Sequence, residues 1–139
     1  MNKLSDEILK KKYSELHNDF IKGDFLNVIK ECNKVLEKRK NQLFFNLLCI
    51  AYQKIGKIEK SIDVMKEALT FNPNHPDFLN NLGLCFYMLH KFSEAEKYFK
   101  KGLEVDNKHL HILNNLGNLK RETLKIEESI KYYKEVLSI

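Results

Sequence analysis

Apolar residues recur along this chain with two nested spacings. Within short stretches they fall one, three and four positions apart, as in Phe78, Leu79, Leu82, Cys85, Phe86 and Leu89. That is the stripe of an amphipathic helix. The stripes themselves repeat over a longer interval. The run Leu-Asn-Asn-Leu-Gly stands at 79–83 and again at 113–117, 34 residues on. Phe45, Leu79 and Leu113 share a phase, as do Leu48, Leu82 and Leu116. Later in the period Ile58, Phe92 and Ile126 align, then Ser61, Ala95 and Ser129, then Met65, Phe99 and Tyr133. A fixed period of this size marks a stack of similar supersecondary units. Four units result, at about 9–41, 42–75, 76–109 and 110–139. The first is one residue short of the period, because Gly23 to Gly56 is 33, and the last stops before its unit is complete.

Each unit reads as two helices, and the third shows this best. Pro76 suits a first helical turn, where its missing N–H costs nothing, and Asn74 or His75 can cap it. His90-Lys91 makes the turn between the helices. Phe92, Ala95, Phe99, Gly102, Leu103 and Val105 form the apolar side of the second helix, which ends at Asp106-Asn107. Small residues at Ser61, Ala95, Ser129, Ala68 and Gly102 let paired helices approach where larger side chains would overpack. No period-two alternation of strand type occurs. The expected fold is all-α, a solenoid of about four antiparallel helix pairs forming one domain over residues 1–139.

The third unit carries Leu79, Leu82-Gly83, Phe86, Ala95 and Phe99 at the spacing W-x2-L-G-x2-Y…A-x3-F. The second carries Phe45, Leu48-Cys49, Tyr52, Ser61, Met65 and Pro73. The fourth carries Leu113, Leu116-Gly117, Lys120, Ser129 and Tyr133, with Lys120 where an aromatic residue is expected. The first unit is degenerate. The chain thus resembles the tetratricopeptide repeat over nearly its whole length. The resemblance implies right-handed stacking of the helix pairs into a superhelix. The first helix of each pair would line a concave groove that binds a partner segment.

Beside the core stripe, the first helices carry an unusual number of asparagines. The face holds Asn46, Leu47, Ile50 and Gln53 in the second unit and Asn80, Asn81, Leu84, Tyr87 and Met88 in the third. In the fourth it holds Asn114, Asn115, Asn118 and Arg121. Six of the nine places 46, 47, 50, 80, 81, 84, 114, 115 and 118 are Asn, against 14 Asn in 139 residues. Asn is a mediocre helix former because its amide competes with the backbone. Its donors and acceptor match a peptide's C=O and N–H, so a ligand would offset the lost propensity. Asn80, Asn114 and Asn118 are expected to meet a ligand. Asn81 and Asn115 suit either a ligand or the neighbouring repeat. The ladder resembles the superhelical repeats of O-linked N-acetylglucosamine transferase, in which asparagines at the phase of Asn81 and Asn115 hold a peptide backbone; Leu47 interrupts it. The carboxylate clamp of chaperone cochaperones is not matched. Its phases hold Tyr13, His17, Asp77 and Asn81 in one window and Asn46, Ile50, His111 and Asn115 in the other.

Composition narrows the function further. The net charge of +5 lies mostly in residues 1–41, with ten Lys/Arg against seven Asp/Glu, and the acids are interspersed. That argues against a nucleic-acid surface. Apolar stretches are too short to span a bilayer, and Met1-Asn2-Lys3-Leu4-Ser5-Asp6 lacks the apolar core of a signal peptide. A cytoplasmic chain is expected. Cys32, Cys49 and Cys85 fall on core phases and read as buried thiols. His109 and His111 have no partner at metal-ligand spacing, and His75 shares the phase of His109, which suggests capping. No phosphate loop or nucleophile–base pair is present, so neither catalysis, metal nor cofactor is expected.

The expected function is that of a protein-interaction module. An extended or helical peptide would be held by Asn amides and by Ile50, Leu84, Tyr87 and Met88. One alternative is the N-terminal regulatory or substrate-docking segment of a larger enzyme such as a transferase, suggested by the abrupt end at Ile139. A second is an RNA-binding helical-repeat protein. Residues 126–139 carry Ile130, Tyr132, Tyr133, Val136, Leu137 and Ile139 with no following unit to cover them. Self-association through that helix is expected.

Overall fold

The computed structural model describes residues 5–139; the start of the chain read above for a signal peptide, 1–4, lies outside them. Eight α-helices and no strand occur among the described residues: α1 (Asp6–Ile21), α2 (Phe25–Lys38), α3 (Gln42–Lys54), α4 (Ile58–Phe71), α5 (Pro76–Met88), α6 (Phe92–Val105), α7 (Leu110–Glu122) and α8 (Ile126–Ser138). The fold class is the all-α helical repeat expected. Contacts group the chain into two compact units, Met1–Phe71 and Asn72–Ile139, each holding two helix pairs.

Local chemistry sets the helix boundaries. Ser5 Oγ accepts from the Ile8 N–H, and Asp24 and Asn41 carboxyl and amide oxygens accept from Asn27 and Leu43 N–H. The turn inside each pair uses one device four times. Gly23, Gly56, His90 and Leu124 have φ of +84°, +78°, +58° and +61°. Each donates to the carbonyl three residues back. The next residue (Asp24, Lys57, Lys91 or Lys125) donates to the carbonyl five back. This is the Schellman ending of a helix. Nothing lies within 4 Å of a Cβ placed on Gly23 or Gly56, so these glycines answer to φ and not to space.

Other glycines answer to space. In the unit Asn72–Ile139 a Cβ on Gly83 would stand 2.7 Å from the Phe99 ring, and one on Gly117 would stand 2.5 Å from Tyr133. A Cβ on Gly102 would strike Ile112 of the next pair. Around these contacts Phe78, Leu79, Leu82, Cys85, Phe86, Ile112, Leu113, Leu116 and Leu119 are buried. The unit Met1–Phe71 buries Leu16, Val28, Cys32, Phe44, Phe45, Leu48, Cys49, Ala51, Met65 and Ala68. The Ser61 and Ser129 hydroxyls do more than fill a small space. They donate to the Cys49 and Gly117 carbonyls at 2.8 Å, tying the second helix of the pair to the first.

Lys120 departs most sharply from its phase. At the equivalent place Phe86 stacks on Tyr98, with ring centroids 5.5 Å apart. Lys120 is only 4% exposed, and its Nζ donates to Glu96 Oε1 at 2.6 Å and meets Glu128 Oε2 at 2.9 Å. Burial pushes the Lys120 ammonium down, but the hydrogen bonds to both carboxylates outweigh it and the net shift is upward. Burial likewise pushes Glu96 up, and Lys120 with Lys100 reverses this to hold it below its ordinary 4.5. An ammonium with two carboxylate partners thus replaces an aromatic ring.

Two outcomes follow for stability. Leu124 is 84% exposed and sits in the left-handed region, which costs an L-residue roughly 1–2 kcal/mol. Leu124→Gly should raise the urea midpoint, by an equivalent of about 1 kcal/mol once glycine's larger unfolded-state entropy is offset. Lys120→Ala should lower stability by roughly 2 kcal/mol at neutral pH, because it leaves the half-buried Glu96 with Lys100 alone and removes a buried side chain from between α7 and α8. Glu96 and Glu128 both have lowered folded values. Their contribution is therefore complete above the ordinary 4.5 and is lost as pH falls through those values, so wild type and variant should converge in acid unfolding curves.

Candidate peptide-binding face

The first helix of each pair packs against its partner helix, and α3 and α7 pack also against α2 and α6; the candidate residues lie along these first helices. In the unit Met1–Phe71 they are Asn46, Ile50 and Gln53 on α3, all half-buried. Gln53 Nε2 lies 3.7 Å from Cys49 Sγ. At the start of α3, α1 and α3 enclose an open cavity of about 460 Å³ whose walls include Leu9, Lys10, Tyr13, Leu43 and Phe44. The Tyr13 ring meets Phe44 edge-on at 5.8 Å. Tyr13 and Leu43 were not among the residues expected to bind. The signal available in the sequence was an apolar Leu43 two places before the core residue Phe45, off the one-three-four stripe.

In the unit Asn72–Ile139 the residues are Asn80, Asn81, Leu84, Tyr87 and Met88 on α5 and Asn114, Asn115, Asn118 and Arg121 on α7. Their surroundings differ. Asn80 and Asn81 are buried, Leu84, Tyr87, Asn115 and Asn118 half-buried, and Met88, Asn114 and Arg121 exposed. Asn115 Nδ2 donates to Asn80 Oδ1 at 2.8 Å, which joins the two first helices side by side. The Tyr133 hydroxyl donates to Asn118 Oδ1 at 2.5 Å, joining α7 to α8. The Asn80 and Asn118 amide oxygens are therefore committed to the fold, while the Asn118 Nδ2 donors are not used by that bond. The Tyr87 phenol is pushed up by burial and by the nearby Glu122 carboxylate, against the pull of Arg121. Tyr87, Arg121 and Glu122 thus form one electrostatic neighbourhood at the end of the face.

The histidines act at helix starts. His75 Nδ1 accepts from the Asp77 N–H at 3.2 Å, and its ring stacks on Phe78 at 4.2 Å. His109 Nδ1 accepts from the Ile112 N–H at 3.3 Å. That leaves the proton on Nε2, which donates to Asp77 Oδ1 at 2.6 Å. Capping and a cross-repeat bond account for the shared phase. Cys32, Cys49 and Cys85 are free thiols in the core, and burial pushes the Cys32 thiol up to about 12. No helix among the described residues is long and apolar enough to cross a membrane.

No curated protein matches the chain in sequence. Among solved structures, a thermophilic TPR protein of Thermus thermophilus is 18% identical, with a TM-score of 0.84 over 91% of this chain and 71% of that one. MamA from Desulfovibrio magneticus RS-1 is 16% identical, with a TM-score of 0.76 over 91% of this chain and 72% of that one. The first TPR of Spaghetti (RPAP3), solved bound to the HSP90 peptide SRMEEVD, is 18% identical, with a TM-score of 0.72 over 80% of this chain and 89% of that one. The sequence pattern of the tetratricopeptide repeat matches residues 76–109 and, in a second form, residues 42–75 and 110–139. With three repeats matched and the helix pairs in place, the chain belongs to the tetratricopeptide-repeat family.

Proposed function

We propose that this protein is a non-catalytic, cytoplasmic interaction module whose first-helix faces bind a peptide segment of a partner protein. Asn46, Ile50 and Gln53 serve in one unit, and Leu84, Tyr87, Met88, Asn114, Asn118 and Arg121 in the other. Asn80, Asn81 and Asn115 line the same helices closer to the core. The observation that carries the reading is the mixture on α5 and α7. Apolar Leu84, Tyr87 and Met88 recur at helical spacing beside the exposed Asn114 amide and the Asn118 donors. Amides read a peptide backbone and the apolar groups read its side chains. The clamp phases hold Asp77, His111 and neutral residues, which do not favour a C-terminal carboxylate. The segment is therefore an internal stretch of the partner.

A second reading rests on α8. Its Leu137 is 85% exposed, and Ile126, Ile130 and Ile139 are about half exposed, whereas Leu36, at the equivalent phase of the first pair, is buried. We infer that α8 pairs with α8 of a second copy.

The two readings are tested separately. Peptides selected from a random library should bind less tightly to Asn114→Ala, by roughly 0.5–1.5 kcal/mol, with no fall in melting temperature. Asn80→Ala should instead lower stability by about 1 kcal/mol, because the Asn115 amide loses its acceptor. Loss of stability without loss of affinity in Asn114→Ala would remove the face from consideration. For self-association, sedimentation at tens of micromolar (about the range for a modest interface) should show a dimer. Leu137→Glu should return it to monomer.

A further inference from the structure

The first helix pair holds a cavity that the peptide-binding face does not use. It lies between α1 and α2, has a volume of about 240 Å³, and receives no side chain from α3 or α4. Ile8, Leu9 and Val35 make its floor, and Ile8 is 53% exposed there. Lys12, Lys34 and Lys38 stand on its rim. One carboxylate, Glu31, faces them. Its Oε2 lies 3.0 Å from Lys12 Nζ and its Oε1 3.5 Å from Lys34 Nζ. The hydrogen bond from Lys12 draws the Glu31 carboxyl below its ordinary value despite some burial. Among the described residues Lys38 has no ion pair. Three ammonium groups against one carboxylate leave the rim with a local excess of two positive charges around an apolar floor.

That combination selects a ligand. A purely polar anion gains nothing from Ile8, Leu9 and Val35, and a purely apolar one forgoes the charge. We propose that this cavity is a docking site for an acidic peptide segment of a partner, which inserts one large apolar side chain between α1 and α2. Carboxylates on either side of that residue meet Lys34 and Lys38. Glu31 already shows the geometry, since a single carboxylate there engages two of the lysines at once. The volume accommodates one leucine or phenylalanine side chain. The site is independent of the α3, α5 and α7 faces, so it stands or falls apart from the function proposed above.

A fluorescein-labelled, N-acetylated peptide Glu-Glu-Leu-Glu-Glu is the direct probe, read by fluorescence anisotropy against the full chain. Binding is expected in low salt and should weaken strongly at about 0.5 M salt, where surface charges are screened. The double variant Lys34→Glu/Lys38→Glu should weaken it at least about tenfold. Ile8→Asp should do likewise, and so should Leu→Gly in the peptide. Both side-chain sets are at the surface, so circular dichroism should show an unchanged fold; the charge-neutral pair Lys34→Gln/Lys38→Gln serves if it does not. No binding, or binding untouched by the lysine variants, overturns the proposal. Equal affinity for the Leu→Gly peptide or for single-stranded poly-uridylate also overturns it, since the rim would then be a general cation patch. A dimer that requires Lys34 and Lys38 overturns it too, because the occupant would be another copy of the chain.

Discussion

The structure depends on how closely the two helices of a pair can approach, and one position in each helix governs that distance. The paired phases are Leu16 with Cys32, Cys49 with Met65, Gly83 with Phe99 and Gly117 with Tyr133, and all but the partly covered Tyr133 are buried. As the first-helix residue shrinks from Leu to Cys to Gly, the second-helix residue grows from Cys to Met to an aromatic ring. The summed volume stays nearly level, which is what a close-packed interior requires. The ring contacts at Gly83 and Gly117 show the limiting case, where the backbone itself forms one wall. Once this distance is set, the serine hydroxyls of the second and fourth pairs can reach the carbonyls opposite.

Function follows from the same division of labour. Each first helix is packed against its partner helix, and α3 and α7 also against the second helix of the pair before, so little of each first helix is left to solvent. Polar residues there are not equivalent, although they share a repeat phase. Asn80 serves as an acceptor for Asn115, and Asn118 as an acceptor for Tyr133, whereas Asn114 is exposed. An asparagine enrichment that looks uniform thus divides into amides bonded within the fold and amides open to solvent. The Asn80–Asn115 bond joins two first helices, and the Tyr133–Asn118 bond joins α7 to α8.

The turn and Lys120 show how a repeat drifts while its geometry persists. The first two pairs place glycine in the left-handed turn, and the last two place His90 and Leu124 there in the same region of φ. The hydrogen bonds of the Schellman ending and the packing of the two helices over-determine the backbone, so it accepts a residue that would not choose that conformation. At Lys120 the same logic works through charge. The aromatic stack of the preceding pair is replaced by an ammonium between Glu96 and Glu128, and the phase is kept although its chemistry changes.

Much of this was legible in the order of residues. The 34-residue recurrence and the one-three-four spacing within it determined the helices, their pairing and the core positions, because periodicity is a local property that survives substitution. Capping by His75 was readable from its place before Pro76, and burial of the three cysteines from their phases. The excess of asparagine on one helix face was equally plain. What those asparagines bond to was not, since a hydrogen bond between Asn80 and Asn115 depends on the lateral spacing of two helices 35 positions apart. Glu128 could be read from sequence only as a favourable early-helix charge; its role opposite Lys120 needed α7 and α8 side by side. The lysine-rimmed cavity on the first pair was visible only as a modest surplus of basic residues. Lys12, Lys34 and Lys38 converge only when α1 folds back on α2, and convergence of distant side chains is the property that tertiary structure alone decides.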